Sequence, residues 1–124
     1  ISLTGVNKMI KNKYIDILDF SDDPWGRSAE DNPDSNGNDF RKRFLTDAFR
    51  TSDKVTVDFS KLRDVPDSAF LGGSFVNLIK EDGFSYEEVL DKLVILPEDG
   101  FLPKLVRRII ELARDEHKRV SGMQ

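Results

Sequence analysis

Cysteine is absent from the 124 residues, which excludes disulfides, thiol nucleophiles and cysteine zinc sites. Histidine occurs once, at His117 near the end of the chain, so a Ser-His-Asp triad has no base to work with. A phosphate-cradling loop is missing too: Gly72-Gly73 is not followed by the Gly-Lys-Ser/Thr that such loops use. No apolar run approaches the ~18 residues of a transmembrane helix. Lys8, Lys11 and Lys13 are not followed by the apolar stretch of a signal peptide. Basic excess is lacking as well. With 19 Lys and Arg against 23 Asp and Glu the net charge is −4, and no basic footprint for nucleic acid results. These absences predict a cytoplasmic chain that is not an enzyme, carries no cofactor or metal, and binds neither nucleic acid nor membrane. What remains is 38% hydrophobic and 34% charged, enough for one domain with a real core. The chain opens on Ile1 rather than Met, so an origin in a longer protein is expected.

The richest stretch is 54–79. Val55, Val57 and Phe59 alternate with Thr56 and Asp58 as a strand requires. Pro66 then forbids a helix from running back through the following turn. Asp67 and Ser68 stand where a helix should begin, and Leu71, Phe75, Leu78 and Ile79 form one stripe along it. The two glycines inside this helix, at 72 and 73, cost ~1 kcal/mol each in propensity and predict a close approach to a neighbouring backbone. The unit is strand, tight turn, helix, with an Asp-Ser pair at the helix mouth.

Around it, residues 1–12 read as a tail or short helix carrying Leu3, Val6, Met9 and Ile10, and 13–120 as a single domain. A first strand is predicted over 13–20, covered on both faces near its end. Residues 21–38 are rich in Pro, Gly, Asp, Asn and Ser, which marks a long loop. Setting Gly37 at the sixth position of an EF-hand puts Asn32, Asp34 and Asn36 at ligand positions. The twelfth position is then Arg43 where a bidentate Glu is required, so the calcium loop is rejected. The loop is expected to be more mobile than the sheet unless Trp25 and Arg27 anchor it. Arg27 has two readings: stacked on Trp25 or paired to a carboxylate, or offered as a fork to an anion near the Asp-Ser mouth.

A helix over 39–50, capped by Asn38 or Asp39, buries Phe40, Phe44, Leu45, Ala48 and Phe49 and leaves Arg41, Lys42 and Arg43 outside. Basic residues in a first turn oppose the helix dipole, which makes Arg41 a candidate for anion or partner binding. Ser85 to Glu88 is a capping-box signature for a short helix to about Lys92. Residues 93–96 form a third strand. A last helix to about Lys118 carries Leu102, Leu105, Val106, Ile109, Ile110 and Ala113 as its apolar stripe. Strands alternating with helices predict an α/β fold, a small mainly parallel or mixed sheet covered by helices. Function in such sheets gathers where strands end and helices begin.

The strand ending in Asp58, the apolar turn and the Asp67-Ser68 helix start resemble the core of STAS domains, shared by sulfate transporters and anti-sigma-factor antagonists. Ile15-Asp16-Ile17, Gly26-Arg27, Gly37-Asn38-Asp39-Phe40-Arg41 and Ser68-Ala69-Phe70 are similar to the prokaryotic STAS-like domain family of unknown function. The resemblance implies a regulatory protein-interaction domain without catalysis. By it Ser68 is a phosphoacceptor, and the partner is a histidine-kinase-like ATP-binding protein. Asp67, Asp58, Arg27 and Arg41 are candidates for the interface or for anion binding. Where the antagonists continue with small residues, this chain has Ala69-Phe70-Leu71-Gly72, which sets a bulky Phe where a kinase would approach. Three alternatives stay open: Asp67 and Ser68 merely cap the helix; the domain binds a small anion or nucleotide; or it is a structural or oligomerisation unit of a larger protein.

Overall fold

The computed structural model describes residues 11–122; the tail or short helix expected at the N-terminus falls, up to residue 10, outside them. Three strands, β1 (Asn12–Asp16), β2 (Lys54–Asp58) and β3 (Leu93–Leu96), form one parallel sheet in the order β1-β2-β3. Ile15 lies opposite Val57, and Val57 opposite Ile95. With Val55 these residues are buried, because alternate positions of a strand share one face and this is the face the helices cover. The intervening row, Tyr14, Thr56 and Val94, points the other way, and Tyr14 is 53% exposed.

The helices are α1 (37–51), α2 (68–80), α3 (Tyr86–Lys92) and α4 (Leu102–Gly122). α2 is the centre, touching α1, α3 and α4. Every residue from Phe70 to Val76 is buried, a helix apolar almost all round, as one enclosed by neighbours must be. Glycines on both helices explain how α1 comes so close. A Cβ on Gly37 would collide with the Phe70 carbonyl, and one on Gly73 would sit 2.9 Å from the Arg27 carbonyl oxygen.

Both helices carry one π-helical turn, Arg41–Leu45 in α1 and Gly72–Val76 in α2. In each the bond spans five residues: Thr46 N–H donates to the Arg41 carbonyl and Asn77 N–H to the Gly72 carbonyl.

Three expectations need correction. The strand expected over 13–20 stops at Asp16, whose carboxylate accepts from Leu18 N–H at 3.0 Å and caps a 3-10 turn, Ile17–Asp19. The chain then bends so that Phe20 joins a ring cluster with Phe40, Phe44 and Phe70, while Leu18 stays 40% exposed. The cap of α1 is Asn36, whose side-chain oxygen accepts from Asp39 N–H at 2.9 Å; neither Asn38 nor Asp39 serves. Arg41, expected outside, is only 3% exposed. The capping box at Ser85 holds, with Glu88 N–H donating to the Ser85 hydroxyl oxygen at 3.0 Å. In α4, Leu102, Val106 and Ile110 are buried, and the helix continues past its expected end near 118 to Gly122. Among the described residues no helix is long and apolar enough to cross a membrane.

Candidate functional site

The loop 21–38 is not a loose excursion. Trp25 N–H donates to the Ser35 carbonyl, Gly37 N–H to the Gly26 carbonyl and Asn38 N–H to the Arg27 carbonyl, at 3.1, 2.9 and 2.9 Å. Asn32 donates through its amide to the Trp25 carbonyl and Asn36 to the Asn32 carbonyl, and both are buried. The two asparagines that suggested calcium ligands therefore satisfy the loop's own backbone. Trp25 is 43% exposed, so the backbone and the asparagines do the anchoring that was expected of its ring. Gly26 turns the corner at φ +81, a left-handed conformation that glycine adopts without strain.

That corner meets the mouth of α2. The Asp67 carboxylate accepts from Phe70 N–H at 2.8 Å, as an N-cap does, and the same oxygen accepts from Gly26 N–H at 3.1 Å. One carboxylate thus closes the helix start and ties the loop to it. Ser68 follows as the first residue of the helix. Its side chain is exposed, and the cap interaction belongs to Asp67 alone. Arg27 lies one turn further on: its guanidinium passes over Gly72, where a Cβ would stand 3.3 Å from its Nη2. Among the described residues no carboxylate pairs with that guanidinium. Stacking on Trp25 is not found either, since the arginine ring contacts are those of Arg43 over Phe20 and Phe44. Arg27, Asp67 and Ser68 therefore share one end of α2. Phe70, the bulky residue that stood in the way of a partner, is fully buried in the ring cluster, so the approach to Ser68 is clear of it.

Asp58 and Arg41 have other partners. Asp58, at the end of β2, is 6% exposed and accepts from the Tyr14 hydroxyl, from Ser60 N–H at 2.8 Å and from the Ser60 hydroxyl at 2.6 Å. Burial pushes its pKa up, but the Ser60 and Tyr14 hydrogen bonds outweigh that, and the carboxyl is held below its usual range. Beside it Lys61 donates to Asp16 at 2.8 Å, which lowers the Asp16 carboxyl and raises the Lys61 ammonium. Donation to Asp58 raises the Tyr14 phenol.

Arg41 spends its donors inside the fold. Nε donates to the Gly73 carbonyl at 3.1 Å, Nη1 to Asp82 at 2.8 Å and Nη2 to Asn38 at 3.3 Å. Thr46 completes the set through its hydroxyl, 2.7 Å from the other Asp82 oxygen. Arg41 ties α1 to α2 and to the turn that follows it, and has no fork to offer an anion.

Asn32, Asn36, Asp82, Tyr14 and Lys61 were missed as organisers. The asparagines had a signal in their spacing before Gly37. The other three depend on register and on contacts between residues far apart in the chain.

A family model described as STAS-like domain of unknown function (DUF4325) matches residues 36–98, from the cap of α1 to just beyond β3. Neither a curated protein nor a solved structure matches the chain.

Proposed function

The chain belongs to the family of STAS-like domains of unknown function, and from that premise we propose that it is a regulatory protein-interaction domain, working by binding rather than catalysis, with Ser68 as its switch. The observation that carries this reading is the division of labour at the mouth of α2. Asp67 caps the helix, so the exposed Ser68 hydroxyl has no structural duty there. A phosphate on Ser68 adds nearly two negative charges at neutral pH. The helix dipole welcomes it by ~0.3–1 kcal/mol, and the unpaired Arg27 guanidinium one turn away offers it a charge-assisted hydrogen bond. Both effects let the fold survive modification. Against a partner docked on this edge the added charge repels acidic groups, at several kcal/mol per like-charge contact.

The partner suggested by the family resemblance is a histidine-kinase-like ATP-binding protein. A reading as a small-anion or nucleotide binder draws on the same Arg27 and helix mouth, but it loses Arg41 to the interior.

The test takes the partner captured from lysate together with wild type, Ser68→Asp and Ser68→Ala. Ser68→Asp should bind about a hundredfold more weakly, a loss of ~2.8 kcal/mol, with its melting temperature nearly unchanged. Ser68→Ala should bind and take up no phosphate from ATP. Gly72→Ala should displace the Arg27 guanidinium and lower the stability of the phosphorylated form relative to the unmodified one. Equal binding by all forms, with no phosphate on wild type, leaves Ser68 without a regulatory role.

A further inference from the structure

The outer edge of β3 is built differently from the outer edge of β1. β1 carries Lys13 and Asp16 among its five residues, and charges on an edge strand discourage another strand from joining. β3 is Leu-Val-Ile-Leu, with neither charge nor proline inside it. Its backbone direction follows from one bond: the Leu96 carbonyl accepts from Phe59 N–H at 2.9 Å, so Leu96, and by alternation Val94, face β2. The N–H and C=O of Ile95 therefore point away from the sheet, and among the described residues no turn, loop or side-chain hydrogen bond reaches them.

They do not face open water. A cleft of about 220 Å³ lies there, between Leu90 of α3 and Pro103, Val106 and Ile110 of α4. The consecutive residues Leu93, Val94 and Ile95 all line it, as a cavity along the strand's edge would have them do. The cleft itself falls below the ~300–1,000 Å³ of pockets that enclose small molecules, and its continuation past Leu90 and Arg107 is a shallow surface that encloses nothing, so the cleft suits a side chain better than a free ligand. The rim is acidic: Glu98 stands at the cleft, and Glu87, Glu88 and Asp91 beside its continuation. The cations at this rim are engaged: Arg107, which lines the cleft, pairs with Glu111, Lys92 pairs with Glu88, and Lys54 donates to the Asp91 carbonyl.

We propose that the β3 edge receives an extended segment of a partner protein as a fourth strand, with an apolar side chain in the Leu90–Val106 cleft and a Lys or Arg beside it. The unpaired Ile95 backbone demands a strand, the cleft an apolar anchor and the rim a positive charge. Backbone pairing of this kind gives affinity while the pocket selects the side chain. This surface is separate from the Ser68 mouth and does not depend on the reading given to it.

The experiment selects from a displayed library of random peptides on the whole protein and maps the enriched peptides by amide hydrogen exchange. Enriched sequences should alternate apolar residues next to Lys or Arg, and saturation should protect the Ile95 amide. Glu87→Lys with Glu98→Lys, both exposed positions, should weaken binding about tenfold while leaving the melting temperature in place, and glutamates put for the peptide's lysines should do the same. The proposal is overturned by an absence of enrichment, or by binding that leaves Ile95 exchanging freely. It is also overturned if Ile95 becomes protected on concentrating the protein alone, which makes a second copy the occupant.

Discussion

A methyl group added at Gly73 would stand 2.9 Å from the Arg27 carbonyl oxygen and 3.1 Å from the Asn38 nitrogen. Both are backbone atoms that cannot swing aside. Gly73→Ala should therefore destabilise by ~1–3 kcal/mol through overpacking, although alanine by itself favours a helix by ~1 kcal/mol. Urea unfolding measures the balance, and a stabilised variant would mean that the crossing has slack. The Arg41–Asp82 pair is the other sensitive point, with side chains 4% and 14% exposed. Asp82→Ala leaves a buried guanidinium with one charge partner fewer, at ~3–5 kcal/mol. Replacing both by apolar residues of similar volume should cost less than that single change, and a double-mutant cycle on unfolding free energies decides it.

At the scale of elements, Asp67 joins two of them. Its loss removes the cap of α2, worth ~1 kcal/mol, and releases Gly26 N–H. Asp67→Ala should thus raise hydrogen exchange not only in the first turn of α2 but also at Gly37 and Asn38, whose amides bond the Gly26 and Arg27 carbonyls. Faster exchange confined to α2 would show that the loop stands without its tie. The paired π turns have a related consequence. Because Asn77 takes the Gly72 carbonyl, the next carbonyl, Gly73, is left for Arg41, so a departure from regular helix is where the two helices are fastened.

The whole molecule responds to pH through the open face of its sheet. Asp58 has a lowered carboxyl, and Tyr14, which donates to it, has a raised phenol. A lowered carboxyl contributes stability that is full above its unfolded value, ~3.9, and is lost as pH falls through the folded one. A raised phenol contributes below its ordinary value of 10.0 and loses the contribution as pH rises through the folded value. Tyr14→Phe should hence be less stable than wild type between about pH 4 and pH 10, with the gap closing on either side. Melting temperatures across that range test it; a gap that persists in strong acid assigns the difference to packing instead.

Legible along the chain were the α/β order, the strands at β2 and β3, the α2 mouth at Asp67-Ser68 and the close approach at Gly72-Gly73. These rest on periodicity, capping chemistry and the missing Cβ, all local properties of the chain. Tertiary structure decided the rest. β1 ended at Asp16 because its carboxylate bonds the backbone ahead and Phe20 has a ring cluster to enter. Arg41 went inside because Asp82 and the Gly73 carbonyl, distant in sequence, wait there for it. Arg27, which has no charge partner among the described residues, lays its guanidinium in the space that Gly72, from another element, leaves open. A side chain's charge and length can be read along the chain, but its partner is set by which backbones meet.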